Sequence, residues 1–417
     1  MRVVILAVGT RGDVEPALAL AWRLRSRDHE VALAVPVDLV PFAREAGFDA
    51  TPVSLDTREF LESPDGQRFL AAGNSREYVR LLVTKKREVI RAVHADLTTA
   101  VKGADVVIGT RLVEEEGSSL AEWLGVPFIA LHYFPTRSNP YYASPFVTAR
   151  RLPAPLTRLT HQLFERTQWR HNAADVNRLR ADLGLPPVTR PATVRFARAG
   201  ILELQAYSRF LTPELADRNP RRPLIGPLRL EPEHRALIRT DHADPELTRW
   251  LDAGDPPVYI GFGSQPVLDG PRLVEEIRRT ATRLGVRVLL NAGWSNLALP
   301  GADPQILLRR AVDHERIFPR CRIAVHHGGA GSTAASIGAG LPTVICADFA
   351  DRALWGRAVT RLGVGTTIPL AALTATTLST AIAPLLLPAP ARRAQAIAAN
   401  MATEDATTRA VEIIETR

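Results

Sequence analysis

Residues 2–35 read RVVILAVGTRGDVEPALALAWRLRSRDHEVALAV. Arg2–Val8 is a nearly unbroken apolar run, the pattern of a parallel strand covered on both faces. Gly9-Thr10-Arg11-Gly12-Asp13 reads as a turn, and from Pro16 the apolar residues fall at Ala17, Leu20, Ala21 and Leu24, one face of a helix. Val31–Val35 is a second apolar strand. A strand, a helix and a strand in this order imply a right-handed βαβ crossover and a parallel sheet.

The alternation continues outward. A helix is expected over Val37–Ala46, a strand near Asp49–Val53, a long helix over Arg76–Val101, and strands at Asp105–Gly109 and Pro127–His132 around a helix at Ser118–Leu124. Phe134–Thr160 breaks the rhythm with Pro, Tyr and Phe and no clear period, as functional loops do. Leu163–Leu183 reads as helix and Gly200–Gln205 as strand. Residues 218–233 carry four prolines (Pro220, Pro223, Pro227 and Pro232) and are expected to be a linker between domains 1–217 and 234–390. The second domain restarts with strand Pro257–Phe262 and helix Pro271–Leu284, whose apolar face is Leu273, Ile277, Ala281 and Leu284. Strands Val286–Leu290, Ile306–Leu308, Ile323–His326 and Pro342–Cys346 follow, and residues 391–417 are expected to form a helix packing back toward the first domain. The fold class is therefore α/β, with two doubly wound Rossmann-like domains and a cleft between them.

Composition limits the function. At 417 residues the chain is too long for one core. No stretch approaches the ~18 continuous apolar residues of a membrane helix, so no integral membrane contact is expected. Charged residues follow the first apolar run at once, which favours a buried strand over an export signal and a cytoplasmic location. Cys321 and Cys346 form no metal-like pattern and suit a reducing compartment. The net charge of +8 suggests nucleic acid at first sight. Yet only Lys85, Lys86 and Lys102 are lysines; the remaining cations are arginines scattered along the chain, with no aromatic-basic stretch. A nucleic-acid partner is not expected.

One motif carries chemistry clearly. His326-His327-Gly328-Gly329-Ala330-Gly331-Ser332-Thr333 follows a short apolar strand and opens a helix. Such a turn bares backbone N–H groups at the positive end of the helix dipole, a cradle for phosphate. His327 and Ser332 can add donors. It is neither a Walker loop nor a dinucleotide fingerprint. In the turn after the first strand, Asp13 is either a general base or a helix cap. Thr110, Arg111, His132 and Ser264 also fall at expected strand carboxyl ends. Glu114-Glu115-Glu116 reads as a solvated loop or helix start.

GTRGDVEP at 9–16, VYIGFGS at 258–264, and IFPRC, HHGGAGST, GLPTV, DFAD and WG between 317 and 356 resemble one family over nearly the whole chain. It is the GT-B nucleotide-sugar glycosyltransferases, in the branch of actinobacterial antibiotic (vancomycin-type) glycosyltransferases and sterol glucosyltransferases. The resemblance implies that Asp13 activates the acceptor hydroxyl and that Arg11 and Gly12 lie near the donor phosphates. It implies that Ser264 and His327 bind the diphosphate, with Gly328, Gly329, Gly331, Ser332 and Thr333 completing the cradle. Asp351 corresponds to the acid that holds sugar hydroxyls, and Trp294 lies in a segment near the nucleobase in relatives. Arg352 departs from the family, where Gln is common; this favours a deoxysugar over glucose.

The implied reaction is inverting transfer of a (deoxy)hexose from a dTDP- or UDP-sugar co-substrate to a hydroxyl of a small hydrophobic natural product, without a metal. His132, Phe134, Tyr141, Tyr142 and Phe146 are the expected acceptor residues, and the aromatic ones suit a flat ring system. The chain is expected to act as a monomer or homodimer. A sterol or lipid glucosyltransferase and a non-catalytic sugar-nucleotide-binding homologue are the alternatives.

Overall fold

The computed structural model describes residues 1–64, 66, 75–144, 147, 152–216, 219–238, 244–263, 267, 269–348 and 351–417. The chain forms two compact units. Unit 1 comprises Met1–Phe60, Arg76–Ile238 and Glu404–Arg417; unit 2 comprises Leu61–Ser75 and Arg239–Thr403.

Unit 1 holds one parallel sheet of β1 (Arg2–Leu6), β2 (Glu30–Pro36), β3 (Ala50–Val53), β4 (Val106–Thr110), β5 (Phe128–His132) and β6 (Leu202–Gln205), in the order β3-β2-β1-β4-β5-β6. Val4 stands opposite Ala32 on one side and Val107 on the other. Val3 to Leu6 are all fully buried, as a continuous apolar run in a central strand requires. The first helix, Arg11–Arg25, crosses between β1 and β2 and buries Ala17, Leu18, Leu20, Ala21 and Leu24.

Unit 2 holds β7 (Val258–Gly261), β8 (Val288–Asn291), β9 (Ile306–Arg309), β10 (Ile323–His326), β11 (Thr343–Ala347) and β12 (Gly365–Pro369), in the order β12-β11-β10-β7-β8-β9. Counted from the first strand of each unit, the two orders are identical. In both, the direction of winding reverses between the first and fourth strands: β1 and β4, then β7 and β10. Loops leaving those two strands diverge, and a crevice opens at the carboxyl edge there.

The structure departs from the sequence reading in three places. The helix expected at Leu163–Leu183 runs from Ala154 to Asp182, so its first turns occupy part of the stretch read as irregular. Pro155 sits in its first turn, where a missing N–H costs nothing. Residues 219–230 are not a linker but part of unit 1. Their backbone pairs with β6: Glu203 and Gln205 donate to the carbonyls of Arg221 and Pro223, and Ile225 donates back to Gln205. Finally, 391–417 is not one helix. Pro388–Met401 belongs to unit 2 and packs on the helix Ala330–Gly338, whereas Ala406–Glu415 belongs to unit 1 and packs on Arg11–Arg25. Asp405 caps the second helix by accepting from Thr408 N–H at 3.2 Å.

Ile414 is fully buried in unit 1. Ile414→Ala is expected to cost unit 1 about 2–4 kcal/mol. In calorimetry one transition should move down while the transition of unit 2 stays in place.

Candidate functional site

Each unit carries a cluster of polar residues at the switch point of its own sheet. In unit 1, Asp13 is the third residue of the first helix and closes a capping box. Thr10 N–H donates to Asp13 Oδ2 at 2.8 Å, and Thr10 Oγ1 lies 3.3 Å from the same oxygen. Tyr133 donates its hydroxyl to the Asp13 carbonyl at 2.9 Å. The carboxylate folds over Gly9, where an added Cβ would stand 2.2 Å from Oδ2, and Gly9 has φ +146. Only glycine allows that approach. Arg11 pairs with Glu15 at 2.9 Å and lies over the Phe42 ring. Gly12 is exposed. Asp13 is thus a cap, and a cap whose carboxylate is held in one orientation by the chain itself.

Behind it lies a buried charge network. Glu114 accepts from Arg111 at 2.7 Å, from Arg137 at 2.8 and 3.1 Å, and from His132 Nε2 at 3.1 Å. Arg137 also grips Glu203, which takes a further bond from Arg222 at 2.9 Å. Burial alone would raise the Glu114 carboxyl, but Arg111, Arg137 and His132 hold it well below the usual range. Burial and the Arg137 charge lower the His132 imidazole. A neutral ring donates from Nε2 to Glu114 and accepts from Gln205 at Nδ1, 3.1 Å away.

His132 is fully buried in this network and is not presented to an acceptor. The acidic triplet is not a solvated loop: Glu114 and Glu116 are 2% and 1% exposed. Tyr142 is buried, with its hydroxyl on Glu214 at 2.9 Å, so of the expected acceptor aromatics Tyr141 is exposed and Phe134 half-buried. Phe146 and Ser264 lie outside the described residues. Arg137 and Tyr133 were missed by the sequence reading; nothing in their neighbours' periodicity marks them.

In unit 2 the switch-point strands β7 and β10 end at Gly261 and His326. The helix Ala330–Gly338 starts at Gly329 with no side-chain cap, so its N–H groups face outward at the positive end of the dipole. The His327 ring lies between two glycines. A Cβ on Gly263 would meet Cε1 at 3.0 Å, and one on Gly329 would meet Nε2 at 2.8 Å. His327 Nδ1 is buried and has no hydrogen-bond partner among the described residues. Burial first, then the Arg352 charge, push the imidazole well below its usual value, so it is neutral.

His326 is the support. Its Nδ1 accepts from Gly328 N–H at 3.0 Å, which leaves the proton on Nε2 for Ser336 Oγ at 3.2 Å. Ser336 donates its hydroxyl to the Thr333 carbonyl at 3.2 Å. Thr333 donates its hydroxyl to Gly329 O at 2.9 Å, so it braces the turn from within. Gly328 has φ +89 and approaches Ile345, whose Cγ2 would be 2.4 Å from an added Cβ. Asp351 accepts from Trp355 Nε1 at 2.8 Å, and burial raises its carboxyl. Arg352 pairs with Asp348 at 2.5 Å and rests against Gly328. Trp294 donates its N–H to Gly263 O at 3.1 Å, where Gly293 allows contact no other residue would permit. The turn therefore gathers His327, Gly328, Gly329, Gly331, Ser332, Arg352 and the Trp294 backbone around one helix end.

Two family matches cover these same elements. Residues 3–141 match the glycosyltransferase family 28 N-terminal domain, and residues 299–416 match the C-terminal domain of erythromycin biosynthesis protein CIII-like proteins. An uncharacterized glycosyltransferase of Mycobacterium bovis is 36% identical over 406 residues, covering 96% of this chain and 95% of its own. The chain belongs to the GT-B glycosyltransferases. A sterol 3-beta-glucosyltransferase of Arabidopsis thaliana is 31% identical over 88% of this glycosyltransferase and 57% of its own length. Among solved structures, the glycotransferase of kitacinnamycin superposes at TM-score 0.72 with 20% identity, covering 100% of this chain and 98% of its own. A Streptomyces sp. SF2575 glycosyltransferase complexed with thymidine diphosphate superposes at 0.63 with 20% identity over 100% of both chains. Both likenesses confirm the two-unit fold of this glycosyltransferase.

The buried histidines of this glycosyltransferase set a pH dependence. His326 is pushed down to about 3. In the unfolded chain a histidine takes its proton near pH 6.5. The folded form therefore keeps its full advantage above pH 6.5 and loses it as pH falls from there toward 3, by about 1.4 kcal/mol per pH unit for each such histidine. His326→Asn keeps an acceptor for Gly328 N–H. It should flatten the dependence of the unit 2 melting transition on pH between 6.5 and 4.5.

Proposed function

We propose that this glycosyltransferase transfers a deoxyhexose or hexose from a dTDP- or UDP-sugar to a hydroxyl of a small hydrophobic natural product, with inversion and without a metal. The observation that carries the reading is the uncapped helix end at Gly329 beside the unpartnered Nδ1 of neutral His327. Buried polar atoms without partners are rare in folded proteins, and this one stands at a helix N-terminus that attracts anions. A nucleoside diphosphate supplies the missing acceptors and the negative charge. The relative complexed with thymidine diphosphate supports a nucleotide of that class.

In the proposed reaction Asp13 removes the proton from the acceptor hydroxyl as its oxygen attacks the anomeric carbon. The nucleoside diphosphate leaves from the opposite face with the bonding electron pair. Its charge grows against the N–H groups of Ala330, Gly331 and Ser332 and against the ring of His327, all held in place before reaction. In this reading Asp351, which accepts from the Trp355 indole, holds sugar hydroxyls. Arg352 is turned onto Asp348 and, unlike an amide, offers no acceptor to a sugar hydroxyl, which favours a donor with fewer hydroxyls. The exposed Tyr141 and half-buried Phe134 are the described aromatics available to the acceptor. Transfer of this kind places the enzyme in the cytoplasm, where sugar nucleotides are made.

Titration calorimetry with dTDP and UDP, with and without magnesium, tests the donor site. Micromolar binding independent of magnesium, lost about tenfold or more in His327→Ala, is expected for a charge-assisted phosphate contact. Absence of binding to either nucleotide overturns the reading.

Asp13→Asn retains a side-chain oxygen for the Thr10 N–H and should fold as the parent does. Its turnover should fall about 10²–10⁴-fold, the contribution of a positioned base. Unchanged turnover would leave Asp13 a cap and nothing more.

A further inference from the structure

We propose that the exposed face of the helix Ala154–Asp182 docks peripherally on an anionic lipid surface. Leu156, Leu159 and Leu163 are 48%, 42% and 52% exposed. Their spacing of three and four residues places them in one stripe along the helix. The opposite side is anchored. Thr157 and His161 are buried, and His161 Nε2 bonds the Tyr142 carbonyl at 2.8 Å. The leucines are therefore held outward by the packing of their neighbours and cannot roll inward.

The same turns are cationic. Arg158, Arg166 and Arg170 are exposed. Between 154 and 174 the one carboxylate is Glu165, and it points inward to the Thr193 hydroxyl at 3.1 Å. Exposed leucines framed by arginines, with no exposed acid, match a surface that offers both acyl chains and negative charge. Arginine stems can lie along the apolar layer while their guanidinium groups reach the headgroups. A second copy of the chain fits less well. Three half-exposed leucines amount to a few hundred Å², well under the ~800 Å² per partner of a stable interface, and pairing the face with itself would set arginine against arginine. No helix among the described residues is long and apolar enough to cross a membrane, so the contact is one of docking. The proposal is independent of the donor and acceptor chemistry above.

The test is co-sedimentation of the full chain with vesicles of equal parts phosphatidylglycerol and phosphatidylcholine, against vesicles of phosphatidylcholine alone. Binding to the anionic vesicles is expected, weakened by high salt. Leu156→Ser/Leu159→Ser/Leu163→Ser should bind about tenfold more weakly or worse, because only apolar insertion is removed. Arg158→Glu/Arg166→Glu/Arg170→Glu should lose the preference for anionic vesicles. All six positions are exposed, and circular dichroism checks that both variants fold. Three results overturn the proposal: no binding to anionic vesicles, equal binding to both vesicle types, or undiminished binding by the leucine variant. Sedimentation equilibrium showing a dimer that the leucine variant dissolves would assign the face to a second copy and overturn it as well.

Discussion

A Cβ at Gly329 would stand 2.8 Å from Nε2 of His327 and one at Gly263 3.0 Å from Cε1, so these two glycines leave the room that the imidazole occupies. The constraint runs outward from there. Gly263 has φ +63, and its carbonyl accepts the backbone N–H of Trp294 at 3.1 Å across a gap that only Gly293 permits. On the other side Gly329 starts a helix without a side-chain cap, which leaves the N–H groups of its first turn without a capping acceptor. On the function proposed above, phosphate recognition is a matter of keeping volume empty and N–H groups aimed. It is done by backbone, which does not reorganise when charge develops. His326 keeps the geometry from relaxing: its two ring nitrogens bond Gly328 and Ser336, and a protonated ring could not accept the first bond.

Unit 1 solves a different problem. Its switch point is lined by charge and not by glycine alone. Glu114, Glu203 and Arg137 are each nearly out of solvent, and a buried carboxylate without a partner would be costly. Arg137 joins both carboxylates with its planar fork, which a lysine could not do at the same geometry. The network links the loop after β4, the end of β5, the loop beyond it and β6. A rigid floor under Asp13 results, reached through Tyr133, which follows His132 in sequence and bonds the Asp13 carbonyl. The backbone at Asp13 and the buried charge network of the sheet are thus tied through one stretch of chain.

The sheets and the unit 2 turn were legible in the sequence because they depend on local rules. Apolar runs of strand length, a helical period and a glycine-rich turn before a helix leave marks that do not need the partner strand to be known. Asp13 was legible as either a base or a cap, and the structure makes it a cap without removing the other role. What stayed hidden depends on pairing across long separations. Glu114 looked like a solvated acid because its partner Arg137 is 23 residues away and another partner, His132, was read as an acceptor residue. The proline-rich stretch 219–230 looked like a linker because its hydrogen bonds go to β6 and not to itself. The C-terminal segment looked like one helix because nothing in its period reveals that Asp405 starts a second one in the other unit. Trp355 entered the sequence reading only as part of the WG motif; its indole N–H bonds Asp351 at 2.8 Å.

The arginine-rich composition takes on a different meaning once the side chains are placed. A net charge of +8 invites a search for a polyanion, yet many of the arginines are tied within the fold. Arg180 is 1% exposed, with Glu122 on two nitrogens and the Pro186 carbonyl on a third. Arg195 holds Glu115, and Arg309 holds Asp244 and Glu246. Each of these guanidinium groups joins segments distant in sequence, and each also donates to a backbone carbonyl. Charge engaged in this way cannot attract a distant phosphate chain. The arginines that remain unengaged and concentrated are therefore more informative than the total. On the helix Ala154–Asp182 they stand beside exposed leucines and not beside carboxylates, an arrangement the fold itself does not require.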